Sequence, residues 1–493
     1  MKPILSLVFT LLCFNIAISN NIQVSNISLE NFNDPANWAH VEFDLSWENS
    51  WRISSGPSNW DAAWVFVKYR IDNGNWFHAN INQTNTNAPG GSIVEVVGDD
   101  GALIYRATDG SGEFVLQDIQ IRWDLPSAAT TESIIDVKVF AIEMVYIPEG
   151  SFYVGGTSGD EINKFYAGGS STSTSFQITS EAALTISNNP GDLYYTADVG
   201  DGGDQTGTLS ANYPKGFNDF YMMKYEVSQG QWIEFFNTLT ETQKTNLDVT
   251  GPGGKNSDDE FVRNGVSWAE GSGASATTTR PDIPITYVSV FLVNSYLDWS
   301  ALRPMTELEF EKACRGPVLP KPGEFAWGSA NIASTPHQVF SAGFSSEFIN
   351  NLDQNTGNAI YVETNGTLSG PKRCGILAAS SVNHSREETG GSYYGVMELS
   401  GNVYERCISV GNPRGRAFTG LHGNGFISST GEGTVGSTWP DDNITLGDGF
   451  GYRGAGYVNQ SIYMRVSDRN DAANSFSGSN GRIGFRGVRT APN

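Results

Sequence analysis

Arg303-Pro304-Met305-Thr306-Glu307-Leu308-Glu309-Phe310-Glu311, followed by Ala313-Cys314-Arg315-Gly316, is the stretch whose reading decides the fold. A threonine hydroxyl accepts from the free N–H groups that open a helix, and a Glu three residues later reaches back to the cap, so Thr306 and Glu309 form a capping box. Glu307 and Glu309 also fall in the first turn, where the helix dipole favours anions. The spacing predicts a helix over 306–314, preceded by one over 290–300. A further helix is expected from Ser228 to Leu239, where a Ser cap is followed by Trp232, Phe235, Phe236 and Leu239 at helical spacing.

Upstream the period changes from helical to two. Val41, Phe43, Leu45 and Trp47 alternate with Glu42, Asp44, Ser46 and Glu48, which buries one face of a strand and wets the other. Ala63 to Tyr69, Ile93 to Val97, Leu103 to Tyr105, Phe114 to Trp123 and Ile134 to Ile142 read as further strands between Gly, Asn, Asp and Pro turns. Short strands so punctuated imply an all-β sandwich over 20–143. Trp47, Trp51, Trp60 and Trp64 are read either as core or as a sugar-stacking platform. The 56 glycines of the 493-residue chain, spread through its later part, point to turns and irregular connections rather than long helices.

Composition narrows the partners. With 53 acidic against 30 basic residues the formal charge is -23, a sign that repels phosphate backbones, so nucleic acid is not an expected partner. Lys2 and the short apolar run from Ile4 to Ile18, ending in the small Ala17 and Ser19, read as a signal peptide over 1–19. The expectation is therefore a secreted, extracellular or periplasmic protein with no transmembrane segment. After cleavage Cys314, Cys374 and Cys407 remain, an odd count that allows one disulfide and a free thiol, or three packed thiols.

Four blocks in order carry a family resemblance. They are Met144 to Gly155, Phe220 to Phe236 with Lys224-Tyr225-Glu226-Val227-Ser228, the Arg303 stretch with Trp327-Gly328 after it, and a C-terminal core. That core holds Gly395-Val396-Met397-Glu398-Leu399-Ser400-Gly401-Asn402-Val403-Tyr404-Glu405, then Tyr452-Arg453-Gly454-Ala455-Gly456-Tyr457, Arg465, Arg469 and Ile483-Gly484-Phe485-Arg486. Together they resemble the formylglycine-generating enzyme, or sulfatase-modifying factor, family. The resemblance implies an α+β, C-type-lectin-like domain over 144–493 with little regular secondary structure.

Family members that make formylglycine oxidise a substrate cysteine with oxygen and Cu(I) held by two thiolates. The matching positions here are Ser461 and Val466, in Ser461-Ile462-Tyr463-Met464-Arg465-Val466-Ser467-Asp468-Arg469. Cu(I) is soft and prefers sulfur, and valine offers no donor, so copper is not an expected cofactor. Related members use histidine-held iron, but His40, His78, His337, His384 and His422 show no metal-ligand spacing. The resemblance also implies a structural calcium on Glu398, Gly401, Val403 and Glu405, oxygen donors of a kind that suits the ion. A second acidic loop, Asp198, Asp201 and Asp204, is a further calcium candidate.

The run from Tyr457 to Asn480 is rich in Tyr, Asn, Ser and Asp, a composition adaptable in hydrogen bonding. It is similar to the ligand-binding face of variable proteins from diversity-generating retroelements, which share the fold. Tyr457, Asn459, Ser461, Tyr463, Arg465, Ser467, Asp468, Arg469 and Asn470 are the candidate contact residues. The reading is a non-catalytic binder of an extracellular protein or glycan. The alternatives are a structural part of a bacterial envelope, gliding or secretion machine, and a metal-dependent oxidase with an altered site lined by Tyr463, Arg465, Asp468 and Arg469. Core salt bridges offer a simpler account of those arginines.

Overall fold

A computed structural model describes residues 21–129, 132–157, 161–197, 200–433, 439–440 and 447–492. The signal-peptide reading of 1–19, and Asp198 of the second acidic loop, lie outside the described residues.

The period-two segments fold as their spacing dictates. Trp38–Arg52 lies between Gln23–Asn33 and Gly110–Asp124, with Ile81–Asn87 completing a four-stranded sheet. Opposite it runs a longer sheet, ordered Arg303–Pro304, Gly487–Thr490, Phe220–Met223, Ile135–Ile147, Asp61–Ile71, Gly101–Arg106 and Ser92–Val97, with Phe77–His78 paired beside Asp61–Ile71. Val41, Phe43, Leu45, Ile119, Ile121 and Trp123 of the first sheet meet Ala63, Val65, Val67 and Ile104 of the second in one buried core. At about 25 cal/mol per Å² of apolar surface removed from water, such contact is the main force holding the sheets face to face.

The boundary drawn at 143 falls inside a strand. Ile135–Ile147 pairs with Asp61–Ile71 from Ile135 to Val145, and with Phe220–Met223 from Met144 to Ile147. One sheet thus carries strands from both sides of that boundary, and backbone hydrogen bonds tie them together.

The helices end where their caps stand. Ser228 opens Gln229–Phe236 and Thr306 opens Glu307–Arg315, both through reciprocal capping boxes, while Ser289 caps Val290–Trp299. The whole is a strand-rich α+β molecule of several sheets and short helices. No helix among the described residues is long and apolar enough to cross a membrane.

The tryptophans divide. Trp47 and Trp64 are 1 % exposed or less and belong to the core, and Trp60 stacks on Tyr146 at 3.9 Å between ring centroids. Trp51 is half-buried and faces a cavity. Cys314, Cys374 and Cys407 are all free and buried, which resolves the two readings in favour of packed thiols. Burial pushes each of the three thiols up, since a thiolate would lose its hydration.

Candidate functional site

The capped helix of the opening stretch organises the C-terminal part electrostatically. Its carboxylates are 1 % exposed or less and each holds arginine. Glu309 takes both Nη atoms of Arg303, at 2.9 and 2.6 Å, while accepting the cap N–H of Thr306. Glu307 takes Arg469 at 2.7 and 3.0 Å and Arg453 at 3.2 Å. Glu311 takes Arg453 at 3.0 Å and Arg315 at 3.3 Å, and Arg315 goes on to Glu324. A buried charge is tolerated only when paired and hydrogen-bonded, and these are.

Arg469, a nominated contact residue, is therefore a core residue; its guanidinium lies 4.1 Å from the ring centroids of Phe165 and Tyr195. Val466 is also buried, packed in the cluster that holds Phe310, Cys314 and Cys407, and its N–H donates to the Glu324 carbonyl. Ser461 begins the short 3-10 turn Ser461–Met464, half-buried. Ser467 is 1 % exposed, and Asp468, 6 % exposed, accepts the N–H groups of Ile162 and Asn470. Burial pushes its carboxyl up to about 7, against those hydrogen bonds. Arg465 is different: its Nε and Nη1 are enclosed with no hydrogen-bond partner among the described residues. Tyr463 and Asn470 are half-buried, and Tyr457 is 5 % exposed.

Among the nominated residues, Asn459 reaches an open site. It lines a cleft of about 370 Å³ with Tyr404, Tyr452, Asp471, Phe476 and Arg482. Asn459 Nδ2 donates to the Tyr404 hydroxyl at 3.2 Å, which donates to Asp471 at 2.9 Å, and Tyr452 donates to the Phe476 carbonyl at 2.7 Å. Arg406 braces this wall from behind, 5.1 Å from the Tyr452 ring and bonded to the carbonyls of Phe476 and Gly478. Phe476 stays 47 % exposed, and the exposed Arg482 side chain has no ion-pair partner among the described residues. An apolar ring, a cation, a carboxylate and several amides thus converge on one cleft. Asp471, Phe476 and Arg482 were not singled out as a set. Phe476 and Arg482 flank a Ser/Gly/Asn run, a weak signal that gains meaning only when folding brings Tyr404 beside them.

The loop nominated for calcium carries a different cation. Arg486 donates to both oxygens of Glu405, at 2.5 and 2.6 Å, and to the carbonyls of Met223, Lys224 and Met397. Glu398 accepts the Gly375 N–H with one oxygen, while its other oxygen and Oε2 of Glu226 are buried without a partner among the described residues. Burial pushes Glu398 up to about 8 and raises Glu226 as well, with each other's charge adding to the effect on Glu226. A calcium ion on Glu398, Gly401, Val403 and Glu405 would share the Glu405 carboxylate with Arg486. No cluster of three or more His, Cys, Asp or Glu side chains placed to hold a metal occurs among the described residues. Asp204 of the second acidic loop pairs with Arg416.

These blocks match a family model. The Sulfatase-modifying factor enzyme 1-like domain matches residues 136–491, well over half of the chain. The chain belongs to this family. Over 127 residues it is 31 % identical to the formylglycine-generating enzyme of Bos taurus, covering 22 % of this chain and 33 % of that protein. The match thus spans about a third of that relative's length. Among solved structures, Treponema denticola variable protein 1 aligns at a TM-score of 0.29 with 14 % identity, covering 67 % of this chain and 99 % of that one.

Proposed function

We propose that this sulfatase-modifying-factor-like domain is a non-catalytic binding module, exported from the cell, that takes a glycan or protein ligand in the cleft between Asn459 and Arg482. The observation that carries the reading is the cleft itself. Phe476 offers a stacking face, and Arg482, Asp471 and the amides around it offer directional hydrogen bonds, the usual division of labour in a ligand site. Loss of the ancestral oxidation follows from chemistry rather than placement. Val466 carries no donor for Cu(I), and Ser461 offers only a hard hydroxyl. The C-type-lectin-like arrangement belongs to this proposal, since that fold presents variable loops on a fixed core.

The test is a glycan and protein array probed with the native chain and with the triple variant Asn459→Ala, Phe476→Ala, Arg482→Ala. Ligands retained by the native chain and lost by the variant support the cleft. Unchanged binding by a folded variant removes it.

A second reading, a component of an envelope assembly, draws on one further feature. Phe340 and Phe348 pair across the Val339–Phe340 and Phe348–Ile349 hairpin at 5.5 Å, and both are exposed together with Phe344 at its tip. An apolar ridge of this kind favours a protein partner. If the purified chain recovers nothing from an envelope extract, or Phe344→Ser leaves the recovered set unchanged, that reading falls.

A further inference from the structure

Outside the cleft and the old copper positions lies a larger cavity, of about 440 Å³, between the end of the sandwich and the signature loop. Its walls are aromatic and apolar. Trp51 leaves the Trp38–Arg52 strand on one side, and Tyr225, Tyr393, Tyr394 and Met397 face it, with Ala379 of the short Ile376–Ser380 helix at the margin. The residues around it hold this shape. Tyr393 and Tyr394 meet edge to face at 4.9 Å, and Asn59 donates to the Tyr394 carbonyl at 2.6 Å. Gly395 sits at φ +91°, where a Cβ would come within 3.1 Å of the Trp51 ring, so glycine lets the loop pass close to the indole.

The charges around this cavity run against the rest of the molecule. The chain carries -23, yet no Asp or Glu lines the cavity, whereas Lys224, Arg386 and His384 do. Lys224 is already met by Glu143 at 2.9 Å and Asp61 at 3.9 Å, and its ammonium lies 5.2 Å from the Trp51 ring. Arg386 stands 5.6 Å over Tyr393. Its Nε and Nη2 are held by the carbonyls of Gly391 and Cys314, and Nη1 has no hydrogen-bond partner among the described residues. His384 is exposed and bonded to the Ser381 hydroxyl. Of the small polar groups, Ser392 accepts the Val396 N–H, and Thr389 donates to the Ser385 carbonyl. A cation would meet Lys224 and Arg386.

We infer that this cavity is a second ligand site, taking a small planar aromatic ring that bears one anionic group, with the ring between Trp51 and Tyr393 and the anion toward Arg386. Ring stacking supplies affinity, and the Arg386 guanidinium, which feels Glu324 and Glu387 but makes no ion pair among the described residues, supplies selection for the charge. The site is independent of the Asn459–Arg482 cleft, so either can fail without the other.

The probes are anilinonaphthalene sulfonate, an aromatic anion, and phenylnaphthylamine, its uncharged counterpart, followed by fluorescence with the native full chain. The native chain is expected to bind the anion saturably with one site per chain, and more tightly than the neutral probe. Ala379→Phe, which fills the mouth from a half-buried helix position, should weaken the anion at least about tenfold. Trp51→Ala should weaken both probes by about three- to tenfold. Arg386→Gln should weaken the anion by about tenfold and the neutral probe little. Because Arg386 also braces three carbonyls, its variant is read only beside an unchanged melting curve, and Ala379→Phe carries the test if it misfolds. No saturable binding to the native chain, equal affinity for both probes, or binding indifferent to Ala379→Phe would each overturn the inference.

Discussion

Two buried ion clusters in this molecule use the same residue types and behave oppositely. On the capped helix, Glu307, Glu309, Glu311 and Glu324 are matched by Arg303, Arg315, Arg453 and Arg469, carboxylate for guanidinium. At the signature loop, Arg486 pairs with Glu405 and its charge also acts on Glu226 and Glu398, and two carboxylate oxygens have no partner among the described residues. Burial is common to both, so the balance of charge decides the outcome. The matched cluster cross-links distant strands. The unmatched one drives Glu398 and Glu226 toward the protonated form, because desolvation is not offset.

Breaking the matched cluster should cost the most. Glu307→Ala strips Arg469 of its carboxylate and leaves Arg453 with Glu311 alone, and a loss of about 3–5 kcal/mol is expected in urea unfolding at neutral pH. A loss below about 1 kcal/mol would mean that solvent reaches those guanidinium groups.

The unmatched cluster should respond with the opposite sign. Glu398 has a folded pKa of about 8 against 4.5 for an ordinary glutamate. The folded state keeps a proton that the unfolded chain releases across that window, so this group's contribution falls as pH rises from 4.5 to 8. Glu398→Gln keeps the shape and removes the titration. It should raise stability at pH 8 by on the order of 1–3 kcal/mol while changing little at pH 4. Unfolding curves at the two pH values measure this, and a variant equally destabilised at both would refute it.

Calcium sharpens the same comparison. With Arg486 already supplying the positive charge to Glu405, millimolar calcium after chelator treatment should move the melting temperature by less than about 2 °C. A larger rise would show that the loop binds the ion despite Arg486. The smallest stability effect belongs at the surface: Arg482→Ala should stay within about 0.5 kcal/mol of the native chain, since it removes no ion pair found among the described residues.

What the sequence disclosed followed locality. The alternation at Val41–Glu48 and the caps at Ser228 and Thr306 are short-range signals; the helices begin at those caps, and the alternation lies inside the longer strand Trp38–Arg52. Pairing between distant strands has no such signal. Nothing in Ile134–Ile142 announces that its strand continues to Ile147 and joins Phe220–Met223. The same limit applies to the site. Arg465 and Arg469 are four residues apart in one polar run, yet Arg469 is locked to Glu307 while Arg465 keeps two enclosed nitrogens without a partner. Composition treats them alike, because the deciding partner lies more than a hundred residues upstream. Four tryptophans close in sequence were likewise indistinguishable until folding turned Trp51 toward the 440 Å³ cavity and buried Trp47 and Trp64 in the core.

The central claim is that a sulfatase-modifying-factor-like domain has kept its scaffold without the chemistry of formylglycine formation. The most direct test is turnover. The purified chain, loaded with Cu(I), is incubated in air with a Cys-x-Pro-x-Arg peptide, and the peptide mass is followed. The account predicts an unchanged peptide and no copper retained on the protein. Conversion of the cysteine to an aldehyde would contradict it, and would require metal ligands other than Ser461 and Val466.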